Sequence, residues 1–319
     1  MADPLLLSLD RSAIEVVKVV EVAEDRTPRD TRALGDLLGG LLPLSVRDMQ
    51  REVDDRLRKI PTRLNEFGYD PWGLCPAQVR ETVLPALALY KYYFRVETHD
   101  IERVPPGRAL LIANHAGQLP FDAAMIALAM LLEAEPPRLV RGMAEYWVSE
   151  LPWVSVYAAR AGAASGTPDT CREMLEAGEC VLVFPEGVRG MNKLYKERYE
   201  LQRFGTGFMR LALEAQTPIV PVAVIGSEEQ NPGFANFERL GRLLGMPAFP
   251  ITATFPLLGP LGILPMPVKY HVYFGEPLHF QGSPSDDDAI IDEKVETVKT
   301  AIEKLFERGL RERHGVFSG

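Results

Sequence analysis

The chain has 319 residues, 46% of them hydrophobic and 25% charged, the make-up of a folded globular protein with room for a large core. A net charge of −9 argues against nucleic acid as a partner, and against attraction to anionic lipid through bulk charge. Cys75, Cys171 and Cys180 lack His or Cys partners at zinc-ligand spacing, so no metal site is expected and the thiols read as reduced.

Residues 1–40 are charged and weakly patterned, and they read as an arm. The first residues lack a basic stretch before an apolar one, so no signal peptide is expected. No apolar run approaches the ~20 residues that span a bilayer. Ser45–Phe67 reads as an amphipathic helix capped by Ser45, with Val46, Met49, Val53, Leu57 and Ile60 on one stripe. Tyr69–Gly73 is a turn, and Gln78–Phe94 is a second helix. Residues 1–94 are thus expected to form an N-terminal arm and helical extension.

From residue 95 to 319 the pattern alternates between short apolar runs and helical periods. Arg108–Ala113 is expected as a strand, Phe121–Leu132 as a helix and Val140–Met143 as a short strand. Trp147–Ala158 is hydrophobic. Thr170–Ala177 reads as a helix, Cys180–Phe184 as a buried strand, Thr206–Ala215 as a helix and Ile219–Ile225 as another buried strand. Lys269–Phe274 alternates like a strand. Asp286–Arg313 is a long amphipathic helix with Ser285 placed to cap it. Strands alternating with helices imply an α/β fold: a central, mostly parallel or mixed sheet covered by helices on both faces.

Two short stretches carry the chemistry. In Ile112-Ala113-Asn114-His115-Ala116-Gly117-Gln118-Leu119-Pro120-Phe121-Asp122, a histidine sits in a turn at the end of an apolar strand. Asp122 stands where the next helix begins. Ligands of open α/β sheets bind at such strand ends, and a carboxylate on one imidazole nitrogen leaves the other free as a base. Asp122 can equally serve as a plain helix cap. The second stretch is Val183-Phe184-Pro185-Glu186-Gly187-Val188-Arg189-Gly190. There Glu186 and Arg189 can hold a polar head group, and Gly187 lets the main chain approach it. Arg160-Ala161-Gly162 reads as a further strand end that presents a cation, and Ile219–Ile225 carries Pro221 inside its apolar run.

His-x6-Asp, Arg-x-Gly, Phe-Pro-Glu-Gly-x-Arg and Ile-Val-Pro-Val follow one another in this order, and Phe274-Gly275-Glu276-Pro277-Leu278 comes later. Together they resemble the glycerolipid acyltransferase superfamily, the PlsC-like enzymes, over roughly residues 95–280. The resemblance implies that His115 is the catalytic base and Asp122 its orienting partner. It implies that Arg160, Gly162, Glu186, Gly187 and Arg189 bind the acceptor. It implies an acyl thioester as co-substrate, from acyl-CoA or acyl carrier protein, with no bound cofactor. The chain departs from the family pattern in three places. Six residues rather than four separate His115 from Asp122, Val188 replaces the usual Thr, and Gly190 the usual Ser.

The implied reaction is transfer of a fatty acyl group to a hydroxyl of a glycerolipid or lysophospholipid, with no acyl-enzyme. A non-catalytic lipid-binding relative and a lipid esterase are the alternatives. The Pro- and Gly-broken apolar run Phe255–Pro267 is a candidate membrane-touching loop or acyl-groove wall. Tyr90, Tyr92 and Tyr93 give the second helix an aromatic surface that also suits an interface. Arg189, Lys193, Lys196, Arg198, Arg203 and Arg210 form a basic stretch that can attract phosphate. The expected location is cytoplasmic, peripherally associated with a membrane.

Overall fold

The computed structural model describes residues 46–117, 119–144, 154–237, 239, 241 and 249–318. The expected arm, the Ser45 cap and the first part of the Trp147–Ala158 segment lie outside these residues. Val46–Gly319 forms one compact unit.

Its centre is a seven-stranded sheet among the described residues. In chain order the strands are β1 (Glu97–His99), β2 (Ala109–Ala113), β3 (Val140–Ala144), β4 (Ala164–Ser165), β5 (Cys180–Val183), β6 (Ile219–Ile225) and β9 (His271–Phe274). They lie in the order β1-β9-β6-β2-β5-β3-β4. All neighbours are parallel except β6 and β9, whose pairing is antiparallel. A separate hairpin joins β7 (Gly233–Asn236) to β8 (Pro250–Thr252).

Side chains alternate across the central strands and divide the core in two. Leu110, Ile112, Val181, Ile219, Ala223 and Ile225 face one side. They meet α5 (Pro168–Glu176), α7 (Gly207–Glu214) and α8 (Asp288–Glu312), the last through Ile291, Val295, Val298 and Ile302. Leu111, Ala113, Leu182, Val220, Val222 and Val224 face the other side. They meet α3 (Phe121–Leu132) through Met125, Ile126 and Ala129, together with Tyr90 and Phe94. Helices on both faces explain why β2 and β6 are continuous apolar runs rather than alternating ones.

The N-terminal helices α1 (Val46–Leu57) and α2 (Pro76–Ala88) belong to this same unit. Arg56 of α1 donates to the Leu131 carbonyl at 2.8 Å, one of the acceptors that the end of α3 leaves without a helical partner. The turn after α1 is tied down by charge. Arg141 of β3, fully buried, pairs with Asp70, while its Nε lies 3.0 Å from Glu179 Oε2 and its guanidinium 5.5 Å from the Trp72 ring.

Several boundaries differ from those expected. Helix α1 stops at Leu57 rather than Phe67, because Pro61 cannot continue it and Asn65 closes a turn with Gly68. Helix α2 starts earlier, at Pro76, whose missing N–H is harmless in a first turn. A π-helical turn, Leu89–Tyr93, continues it to Phe94. Helix α8 starts at Asp288, so Asp287 rather than Ser285 stands at its N-cap position, without a side-chain capping bond. The Arg160 strand end does not form: Arg160 closes helix α4 (Val154–Arg160).

Candidate active site

Strand β2 lies between β6 and β5 and ends in the middle of the sheet's carboxyl edge. Asn114 then continues the pairing with a side chain instead of a backbone. Its Oδ1 accepts the Val224 N–H at 2.8 Å and its Nδ2 donates to the Val224 carbonyl at 3.2 Å. This fixes the point from which the His115 loop departs.

The loop folds back so that His115 Nδ1 lies 2.7 Å from Asp122 Oδ2. The same carboxylate oxygen accepts the Ala116 N–H at 2.9 Å, and Oδ1 accepts the Ala123 N–H at 2.8 Å. Asp122 is wholly buried, in the first turn of α3. A carboxylate can only accept, so Nδ1 carries the proton and Nε2 keeps its lone pair in the neutral ring. The longer His–Asp spacing therefore leaves the pair in contact. Gly117 makes the bend with φ +87, where other residues are strained, and the Gln230 amide occupies the space a side chain would need.

Phe184, just past β5, stacks on the imidazole with ring centres 4.2 Å apart. Burial alone would lower the His115 pKa, but the nearby Asp122 and Glu186 charges outweigh it and hold the ring above its ordinary 6.5. Lys193 acts against them.

Glu186 has a different place from the one the resemblance implies. Its side chain is wholly buried, and its oxygens already serve protein donors. Oε1 accepts the His115 N–H at 3.0 Å, and Oε2 accepts the Gln202 N–H at 2.8 Å. Lys193 Nζ lies 3.3 Å from Glu186 Oε2 and 2.8 Å from Glu228 Oε1. The carboxylate thus braces the histidine loop and has no accessible face for a head group. Gly187 takes φ +56 at the start of the short helix α6 (Val188–Met191). Gly190 packs directly beneath the loop: a Cβ there would lie 2.8 Å from the His115 carbonyl oxygen and 2.9 Å from Glu186 Cβ.

The other expected ligands are dispersed. Arg189 is exposed, donates to the Arg203 carbonyl at 3.0 Å, and borders an open hollow with Phe184, Pro185 and Gly187. Arg160 lies with its guanidinium 5.9 Å from the Tyr69 ring, and Gly162 turns against Leu74. Among the described residues, their contacts run to the 69–75 turn rather than to His115 or Glu186. The basic stretch does not act as one patch: Lys193 is buried, and Arg210 is occupied by the Pro284 and Asp286 carbonyls and by Asp288. Pro221 is a core residue of β6, its carbonyl accepting the Gly275 N–H at 2.8 Å.

Lys193 and Glu228 were missing from the expected site. The sequence holds one signal for Glu228: like Glu186, it stands just past a buried apolar strand, in Ile225-Gly226-Ser227-Glu228. Glu97, His99 and His271 form another polar group, at the β1–β9 edge. It suits a metal poorly. Glu97 Oε1 is held by Lys269 at 2.5 Å, and His271 Nε2 is buried with no partner, whereas a metal-bound histidine donates its second N–H.

With this geometry in place, the chain can be compared with known proteins. A family model described as Acyltransferase matches residues 95–225, the stretch that carries both the His115 and the Glu186 blocks. An uncharacterized protein of Mycobacterium tuberculosis (strain ATCC 25618 / H37Rv) is 40% identical over 262 residues, covering 80% of this chain and 72% of the relative. This protein therefore carries an acyltransferase-family domain. A Mycobacterium leprae protein is 39% identical over 80% of this chain and 70% of its own. More distantly, this chain is 27% identical to a Mus musculus protein named "DGAT1/2-independent enzyme synthesizing storage lipids", over 67% of this chain and 60% of the other. The 1-acyl-sn-glycerophosphate acyltransferase PlsC of Thermotoga maritima is 16% identical, with TM-score 0.45 over 89% of this chain and 90% of that one.

Proposed function

We propose that the protein is an O-acyltransferase that moves a fatty acyl group from an acyl thioester to a hydroxyl of a glycerolipid or lysophospholipid. The observation that carries this reading is the His115 Nδ1–Asp122 Oδ2 pair, 2.7 Å apart, at the carboxyl edge of the sheet. His115 Nε2 takes the proton of the acceptor hydroxyl as its oxygen attacks the thioester carbonyl carbon. The resulting tetrahedral oxyanion collapses, the carbon–sulfur bond breaks, and the thiolate leaves with the proton held on the imidazolium. Asp122 keeps the productive tautomer and stabilises the imidazolium. General-base assistance of this kind contributes about 10²–10⁴-fold.

The attack is direct, with no acyl-enzyme. Cys171 and Cys180 are buried, and burial pushes both thiols up to about 11, so neither is a thiolate nucleophile at neutral pH. Arg189 at its exposed hollow is the candidate ligand for an acceptor phosphate or the phosphates of the donor. Membrane contact is proposed to be peripheral, on the cytoplasmic side. Leu257 (86% exposed), Leu258, Leu261 and Leu264 supply an apolar surface, and among the described residues no helix is long and apolar enough to cross a bilayer.

The test is acyl transfer from labelled acyl-CoA and from acyl carrier protein to lysophospholipids, monoacylglycerol and diacylglycerol, with His115→Ala beside wild type. The storage-lipid name of the mouse relative is the reason to include the neutral glycerides. Transfer that His115→Ala abolishes is expected. Free fatty acid as the sole product points to an esterase. Lipid binding without turnover by any donor overturns the enzymatic reading.

A further inference from the structure

Lys193 stands where an ammonium is least at home. Its side chain is 4% exposed, yet the surroundings keep it charged: burial alone pushes its pKa down, and Glu228 and Glu186 more than offset this. Its Nζ bridges the two carboxylates, at 3.3 Å and 2.8 Å, and approaches the Glu200 carbonyl at 3.5 Å. Both arms of the bridge end on the same short piece of chain. Glu186 accepts the His115 N–H, and Glu228 lies 3.5 Å from Asn114 Nδ2 while its other oxygen accepts the Tyr199 N–H at 2.7 Å. An ammonium engaged in this way has no donor to offer a substrate phosphate.

We propose that Lys193 is a positioning residue of the acyl-transfer site: it clamps Glu186 and Glu228, and through Glu186 it fixes the main chain that carries His115. The proposal rests on the reading of His115 as the base. It explains why a largely buried loop next to a catalytic imidazole tolerates two buried carboxylates, since without the lysine they would repel each other across it. Lys193 follows α6 in the chain, so the clamp also ties the Phe-Pro-Glu-Gly block to the turn after β6.

The test pairs kinetics with the titration of the His115 ring, followed by NMR of histidine-labelled full-length protein. The charged and titratable groups around that ring are Asp122 from α3, Glu186 after β5, Lys193 after α6 and Glu228 after β6, with Tyr270 facing Asp122. Lys193→Met removes a cation, so the His115 midpoint should rise. The kcat should fall about tenfold or more while KM for the donor stays within about twofold, because orientation rather than ground-state binding is lost. Lys193→Arg should recover part of both. Glu228→Gln, which leaves the ammonium to Glu186 alone, should move the midpoint down. In a Glu186→Gln background the kinetic effect of Lys193→Met should shrink, since residues acting through one another are not additive. The midpoint shift follows from the lost charge alone, so the kinetics decide: a merely structural lysine would lower the melting temperature and leave kcat in place. That result, or additive losses with Glu186→Gln, overturns the proposal. If Lys193→Met does not fold, Glu228→Gln decides: a kcat equal to that of wild type refutes the clamp. If wild type transfers to no acceptor, the functional reading fails by itself, and the backbone NMR signals of Asn114 and His115 still judge the positioning role: signals unmoved in Lys193→Met refute it.

Discussion

Gly190→Ala is the smallest change that should move the catalytic histidine without touching it. An added Cβ would lie 2.8 Å from the His115 carbonyl oxygen, 2.9 Å from Glu186 Cβ and 3.2 Å from His115 Cβ, against 3.4 Å or more for an ordinary contact. The first of these atoms is main chain, in a loop held on one side by Asp122 and on the other by Glu186, so no flexible tip can swing aside. Overpacking of this kind costs about 1–3 kcal/mol. The better helix propensity of alanine returns at most about 1 kcal/mol in the short helix α6. The net loss of about 0–3 kcal/mol corresponds to a melting temperature lower by several degrees, at about 2–4 °C per kcal/mol. The activity should suffer more. Relieving the contact requires His115 to move by roughly half an ångström, and a misplacement of about 1 Å can cost 10²-fold, so a loss on the order of tenfold in kcat is expected. Thermal melts alongside acyl-transfer kinetics measure both quantities, and Gly190→Ser should behave alike because it carries the same Cβ. A variant that melts a few degrees early but transfers at the wild-type rate would show that the loop absorbs the methyl and that the spacing beneath His115 is not critical.

Other perturbations read different parts of the structure. The raised His115 pKa means that the base is progressively protonated, and activity lost, as pH falls through a value above 6.5, so the acid limb of kcat/KM should lie above that value. Asp122→Asn should lower the rate and move the limb down, which a pH–rate profile checks; an unmoved limb would assign it to another group. Arg141→Ala leaves Asp70 buried without its cation and should cost about 3–5 kcal/mol, and Arg141→Met with Asp70→Asn should recover part of this in denaturant melts. Burial holds His99 and His271 below 6.5, so the unfolded chain takes up protons there first, and these two residues erode stability as pH falls from 6.5 through their lower folded values. A His99→Gln/His271→Gln protein should show a flatter acid-side stability curve. Replacing Leu257, Leu258 and Leu261 by Ser should weaken sedimentation with neutral phospholipid vesicles while leaving the melt unchanged.

The long, strongly patterned elements were legible in the sequence. Phe121–Leu132 and Ile219–Ile225 have the expected bounds, because continuous apolar runs flanked by Pro and Gly admit few alternatives. The three-residue β1 and two-residue β4 were not, since too few residues carry a period and their partners are distant in the chain. Within the site, His115 and Asp122 stand out because a turn sits between two apolar runs. Lys193 does not: among Arg189, Lys196 and Arg198 it reads as one more solvated cation. Only the fold shows that it points inward between two carboxylates. Glu186 misleads for the complementary reason, since a conspicuous carboxylate at a strand end suggests a ligand when its partners are the protein's own N–H groups.

The place of β9 bears on how the chain is made. Strand β1, at residues 97–99, has β9 as its sheet partner, and β9 also covers the free side of β6. Residues 271–274 must therefore be present before residues 97–99 can join the sheet. On the ribosome, everything through β6 emerges with that strand's apolar edge open, a template for pairing with another chain. A fragment cut to residues 95–225 would keep that open edge permanently. The nascent protein depends on the prompt arrival of β9, and a pause in translation between β6 and β9 would prolong the time that this edge stands open.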